Sequence, residues 1–287
     1  MLPNPSLPRL LLAGLMIFTG AATWAQANAR NGQYLAKAAG CAGCHTEAKS
    51  GAVPYAGGRK LETPFGNFYG PNITPDPQTG LGKWTESDFR RAIRQGERPD
   101  GSHYFPAFPY ASFTGMSDSD IGDLWAYMRN LPASNKANRE HELRFPFSLR
   151  FLVTFWKTLF FTPGPVVSSA QATPAVKRGE YLVRTLGHCG ECHTPRNALG
   201  GPKSDRWLAG AKIPEGKVPN ITPTRLKKWS DDGLKEYLLS GNTPGGDVAV
   251  EPMSEVILNT TSQWTADDMA AAMAYLRTVP AMAEEKQ

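Results

Sequence analysis

Four cysteines constrain this 287-residue chain more than any other feature, because all four sit in two short motifs. The first is Cys41-Ala42-Gly43-Cys44-His45 and the second is Cys189-Gly190-Glu191-Cys192-His193. Each reads C-x-x-C-H, the spacing at which two thiols attach one haem and a histidine follows beneath the iron. The two intervening residues let one helical turn present both sulfurs and the imidazole to the same face of the macrocycle. A thioredoxin-like C-x-x-C follows a strand in a βαβ pattern, and no such pattern is visible. Zinc held by two cysteine pairs, or disulfides in an exported chain, leaves the histidine after each pair unexplained. The reading is two covalently bound haem c groups. Cys41, Cys44 and His45 attach one, and Cys189, Cys192 and His193 attach the other.

The flanks of the motifs recur at an offset of 148 residues, which separates Cys41 from Cys189 and Asn72 from Asn220. Gly32-Gln33-Tyr34-Leu35 precedes the first motif and Gly179-Glu180-Tyr181-Leu182 the second. Pro71-Asn72-Ile73-Thr74-Pro75 matches Pro219-Asn220-Ile221-Thr222-Pro223. A Trp and a polar helix start follow in each case, at Trp84-Thr85 and at Trp229-Ser230, and stops stand at Pro132 and Pro280. No run of alternating apolar residues is long enough to suggest a sheet. The expected fold class is all-α: two tandem class I cytochrome c-like domains from an internal duplication. They span 28–140 and 173–287, with an interdomain linker helix within 141–172.

The N-terminus reads as a signal peptide over 1–27. Arg9 is followed by an apolar run from Leu10 to Phe18 and by Ala25-Gln26-Ala27, an A-x-A cleavage pattern. The run is shorter than the ~20 residues of a membrane span. The mature chain is expected in the periplasm, where loss of Arg9 lowers the formal net charge from +5 to +4. Arg90, Arg91 and Arg94 share one short helical pattern and read as a solvated face, so no nucleic-acid partner is expected. Phe145 to Phe161 is strongly aromatic and aliphatic, and Arg150, Thr154 and Lys157 share one helix face. The leading reading is a helix packed across both haem domains. The second is a helix lying on an anionic membrane surface, which gives peripheral membrane association.

An iron that only passes electrons has both axial positions filled, and methionine raises its potential. Met253, 24 residues after Trp229, precedes the last helix start at Thr265 and is the expected ligand of the second iron. The same step from Trp84 lands on Phe108, which has no donor atom. Met116, just before the helix start near Ser117, is the chosen ligand of the first iron. His103 is the competing ligand, and an open position is the third option. The metal ligands expected are thus His45, Met116, His193 and Met253, with no catalytic residue. Arg196 and the Asn72/Thr74 and Asn220/Thr222 pairs either hold propionates or shape turns.

The sequence resembles the diheme c-type cytochromes related to the cytochrome subunits of membrane-bound alcohol and gluconate dehydrogenases. The matching stretches include Thr63-Pro64-Phe65-Gly66, Asn72-Ile73-Thr74-Pro75-Asp76, Pro106-Ala107-Phe108-Pro109-Tyr110 and Gly187 to Asn197. In the alcohol dehydrogenase subunits the Phe108 position carries the ligand methionine. This sequence looks closer to a branch with a methionine at Met116. The resemblance implies single-electron carriage. The donor is a periplasmic or membrane-bound dehydrogenase, and the acceptor is a cytochrome or terminal oxidase. The alternative is a diheme enzyme, peroxidase-like or a small-molecule oxidoreductase, reacting at the first haem. No cysteine lies outside the motifs, so a thiolate-ligated catalytic haem is excluded.

Overall fold

A computed structural model describes residues 27–165 and 169–284, so the expected signal peptide lies outside the described residues except for Ala27. Short polar side chains set where its helices begin. Asn28 caps α1 (Ala29–Ala38), which leads into the motif helix α2 (Cys41–His45). Thr85 and Asp88 form a reciprocal capping box on α3 (Glu86–Gln95). After the single turn α4 (Tyr110–Phe113), Ser117 caps α5 (Asp118–Arg129). A linker carries α6 (Leu152–Phe160). Thr173 caps α7 (Pro174–Glu180), which continues as a π-helical turn over Tyr181–Leu186 and reaches the second motif helix, α8 (Gly190–His193). The short α9 (Pro223–Leu226) precedes α10 (Asp231–Ser240), capped by Ser230. Then come α11 (Met253–Asn259) and α12 (Ala266–Thr278), the latter capped by Thr265.

Two helix crossings build the scaffold that carries the motifs. α1 crosses α5 at Gly32, where a Cβ would lie 1.9 Å from the Asp123 carbonyl oxygen. α7 crosses α12 at Gly179, where a Cβ would lie 1.9 Å from the Ala271 carbonyl oxygen. Only a residue without a side chain allows backbones so close. The crossings bury Leu35, Ile121 and Leu124 in one half and Leu182, Met269 and Leu276 in the other.

The expected class, all-α with two tandem domains from a duplication, is corrected on two counts. First, there is sheet. β1 (Lys60–Thr63), β2 (Gly66–Tyr69) and β3 (Glu142–Leu143) form an antiparallel three-stranded sheet. β4 (Ala211–Ile213) and β5 (Gly216–Val218) form a hairpin. Strands of two to four residues are too short to show alternation. They are held by backbone pairing across tight turns, such as Pro64-Phe65. Second, most buried apolar side chains of both halves form one continuous cluster, from Leu35 to Val279, with Phe68, Phe105 and Val153 in a small second one, instead of one core per half.

The linker helix is shorter than expected, because Phe145 to Leu149 is not helical. α6 does pack across both halves. Lys157 Nζ donates to the Gln95 carbonyl at 2.7 Å, and Trp156 Nε1 donates to the Leu199 carbonyl at 3.1 Å. No helix among the described residues is long and apolar enough to cross a membrane.

Candidate functional site

The two motif helices present the same chemistry. His45 Nδ1 lies 2.7 Å from the Pro71 carbonyl oxygen, and His193 Nδ1 lies 2.7 Å from that of Pro219. A carbonyl only accepts, so Nδ1 carries the proton in both rings and Nε2 keeps its lone pair. Burial lowers the pKa of both imidazoles from the ordinary value, with the proline carbonyl pulling the other way. A neutral ring fixed through Nδ1, with Nε2 available, is what an iron ligand requires. The four thiols are unpaired, and desolvation pushes those of Cys41 and Cys189 up to about 12. These are neutral thiols beside an oriented imidazole, in duplicate, and the donor set fits covalent haem. When bound, haem supplies a one-electron ferric–ferrous couple.

The prolines belong to loops with one design. Asn72 Oδ1 accepts from Thr74 N–H at 2.9 Å and from its hydroxyl at 2.7 Å. Asn220 Oδ1 accepts from Thr222 at 2.8 and 2.7 Å. Asn72 Nδ2 donates to the Ser134 carbonyl at 2.7 Å, and Asn220 Nδ2 to that of Met282 at 2.9 Å. These buried pairs are therefore engaged in turning the loop that offers the proline carbonyl. Arg196 donates to the Gly200 carbonyl at 2.7 Å and pairs with Glu191.

The candidate sixth ligands sit in unlike surroundings. Met116 is 2 % exposed, inside the shared core with Phe113 and Met128, and its carbonyl accepts from Arg94 Nε at 3.1 Å. Met253 opens α11 and is half-buried against the same core. Phe108 fills an aromatic group, with ring centroids 5.5 Å from Tyr104 and 5.9 Å from Phe113. His103 lies at the linker contact, where its Nδ1 accepts from Lys157 Nζ at 3.1 Å and its carbonyl accepts from Arg150 at 2.7 Å.

The structure also brings together residues that the sequence reading left out. Tyr34 in α1 donates to Asp268 in α12, and Tyr181 donates to Asp120 in α5 at 2.5 Å. Each half thus reaches the last helix of the other. Trp264 Nε1 donates to the Ala38 carbonyl at 3.2 Å, just ahead of the first motif. Ser112 in α4 donates to Glu191 of the second motif at 2.7 Å, and Arg59 donates to Glu255 in α11 at 2.6 Å. α4 therefore packs beside the second motif, and α11 beside the first, where a Cβ on Gly43 would lie 3.7 Å from the Asn259 side chain. Cys192 keeps an exposed edge, yet the protein around its sulfur raises its thiol to about 11 by burial, with Glu191 adding to the shift and Cys44 of the other motif among the further contributors. The recurring Tyr34 and Tyr181 in the motif flanks were the available signal for this interface.

Comparison with known proteins agrees with this chemistry. The cytochrome c family model matches residues 29–132. A diheme cytochrome c-type protein of Cereibacter sphaeroides is 45% identical over 88% of this chain and 86% of its own length. The fructose dehydrogenase cytochrome subunit of Gluconobacter japonicus is 40% identical over 89% of this chain but 53% of that protein. The cytochrome c subunit of the quinone alcohol dehydrogenase of Gluconobacter oxydans is 38% identical over 95% of this chain and 60% of that subunit. The chain thus spans only half to three-fifths of those dehydrogenase subunits. It belongs to the cytochrome c family, whose members carry covalent haem c and serve electron transport. Within that family it is similar to a diheme cytochrome and to dehydrogenase cytochrome subunits.

Proposed function

We propose that the chain carries single electrons through two haems, received from a dehydrogenase and passed to a cytochrome or terminal oxidase. The observation that carries the reading is the matched pair of histidines, each anchored through Nδ1 on a proline carbonyl. Residues 28–140 hold the first haem and 173–287 the second, with 141–172 joining them. His45 and Met116 ligate one iron, and His193 and Met253 the other. Burial of Met116 and the engagement of His103 with Lys157 support methionine over histidine on the first iron. The site is periplasmic, and the N-terminal signal delivers it there.

The chain's own groups do three things in this scheme. The cysteines tether, the proline carbonyls hold the imidazoles in one tautomer, and the interlocked halves keep the two motifs close. Packing that varies little between redox states suits electron transfer, because little needs to reorganise. The dehydrogenase partner is supported by the names of the relatives. A second reading, an enzyme at the first haem, draws on Phe108 in place of a donor residue. An absorption-monitored redox titration tests the proposal. Two one-electron components, each with the weak long-wavelength band of methionine ligation, are expected. Tight binding of cyanide or carbon monoxide by the untreated protein favours the enzyme reading instead.

A further inference from the structure

α6 is amphipathic in an inverted sense. Its charged side turns toward the protein. Lys157 bonds the Gln95 carbonyl and lies over the Tyr110 ring, and Arg150, just ahead of the helix, bonds the His103 carbonyl. Val153 is buried in a small cluster with Phe68 and Phe105. The outward side is apolar. Phe151, Phe155 and Leu159, spaced one helical turn apart, are 61%, 63% and 66% exposed, and Phe145 on the approach is 81% exposed. Single exposed apolar residues are ordinary, but a contiguous row of large ones marks a surface that another phase or molecule covers.

The chemistry of the row selects the occupant. The Thr158 hydroxyl on this side donates back to the Thr154 carbonyl at 3.0 Å, so it asks nothing of a partner. A protein interface ordinarily adds a polar rim with directional hydrogen bonds. From Leu143 to Gly179 the chain contains no Asp or Glu, and of its five basic residues Arg144 and Lys177 are exposed, while Arg150 and Lys157 bond inward and Arg178 pairs with Asp268. An aromatic row that needs no hydrogen-bond partner, in an acid-free segment with Arg144 exposed beside it, complements an anionic lipid surface. At about 1.5 Å per residue the helix is roughly 14 Å long, enough to lie in the interface but not to span it.

We infer that this face seats the protein on an anionic bilayer. Phe145, Phe151, Phe155 and Leu159 enter the boundary between headgroups and acyl chains, with exposed Arg144 at the headgroup phosphates. The inference is independent of what the haems do.

Vesicle flotation of the full-length, haem-loaded protein tests it. Vesicles of phosphatidylglycerol with phosphatidylethanolamine are compared with vesicles of phosphatidylcholine alone. The wild type floats with the anionic vesicles and binds the zwitterionic ones about tenfold more weakly. The combined variant Phe151→Ser, Phe155→Ser, Leu159→Ser loses at least about tenfold in anionic-vesicle binding, with its haem spectrum and circular dichroism unchanged. Phe155→Ser alone loses a smaller part, which keeps the test decisive should the triple variant fail to fold. Failure of the wild type to float overturns the inference. So does a variant that floats as well as the wild type, since attachment then lies elsewhere. A lipid-free dimer that the substitutions dissolve assigns the face to a second copy and overturns it as well.

Discussion

The N-terminal and C-terminal halves hold their histidines alike and their distal sides differently. His45 and His193 each sit 2.7 Å from a proline carbonyl 26 residues further on. The segments proposed to carry the sixth ligands diverge. The first half offers buried Met116 behind a packed Phe108, with α4 a single turn. The second offers half-buried Met253 at the head of the two-turn α11. The difference teaches that the attachment side is fixed by backbone and motif, whereas the distal side is free to vary. On the attachment side a displaced carbonyl loses the tautomer and the ligand together. On the distal side any side chain that fills the space can be accommodated, and only a donor atom changes the electronics. A difference in potential between the two halves is therefore expected to come from these segments.

The largest effect that can break the comparison is loss of one haem. Cys189→Ala with Cys192→Ala is expected to leave one haem, seen by intact mass against a wild type that carries two. Equal loading of both proteins shows that the second motif does not attach haem. Ligand exchange comes next. Met253→Ala is expected to lower the second potential by about a tenth of a volt or more and to abolish its methionine band. Met116→His is expected to lower the first potential comparably, and His103→Ala to leave it nearly unchanged. If His103→Ala instead opens the first iron to carbon monoxide, Met116 is not its ligand.

These predictions rest mostly on what was legible in the residues. The haem motifs are local, because five consecutive residues carry all the chemistry, and helix starts at Thr85, Ser117, Ser230 and Thr265 stand where the capping residues place them. The sheets were not legible, because strands as short as Glu142–Leu143 are specified by a partner 75 residues away and by no pattern of their own. The clasp of Tyr34 on Asp268 spans 234 residues. No local rule couples such positions, nor the apolar residues of the two halves that meet in one core. The proline carbonyls fall between these cases. The repeated Pro-Asn-Ile-Thr was visible, but the carbonyl of its first residue is the working atom, and backbone groups leave no signature in a sequence.

A smaller effect sharpens the likeness of the two scaffolds. Gly32→Ala and Gly179→Ala each drive a Cβ to 1.9 Å from a carbonyl oxygen. Each is expected to cost about 1–3 kcal/mol in thermal or denaturant unfolding, by overpacking at a crossing that cannot open locally. Because the halves share one core, each variant should still unfold in a single transition. Two separated transitions in either variant mean that the halves are independent.

The smallest effect concerns the two tyrosine clasps, which are alike in geometry but not in company. Asp268 accepts from Tyr34 and also from Arg178, whose Nε and Nη2 lie 2.7 and 2.6 Å away. Asp120 accepts from Tyr181, and Arg178 reaches it only by longer-range attraction, with no lysine or arginine hydrogen-bonded to it among the described residues. Removing the hydroxyl at Tyr34 leaves Asp268 its arginine, whereas removing it at Tyr181 leaves Asp120 without its cross-half donor. Tyr181→Phe is therefore expected to cost about 1–2 kcal/mol, and Tyr34→Phe less. The pH dependence separates them further. Burial alone raises the Asp268 carboxyl, but the hydrogen bonds from Arg178 and Tyr34 outweigh it and hold the group below its usual 3.8. A carboxyl whose pKa is depressed by folding stabilises the native state above its unfolded value and loses that contribution as pH falls through the folded value. Tyr34→Phe removes one of the two donors, so the folded value rises and the acid loss shrinks. Urea unfolding at pH 7 and at about pH 3 reads both effects. The gap between Tyr34→Phe and wild type should narrow on acidification. A gap that stays constant shows that the Tyr34 bond does not depend on the Asp268 charge, and a larger loss for Tyr34→Phe than for Tyr181→Phe at pH 7 shows that Arg178 does not sustain the first clasp.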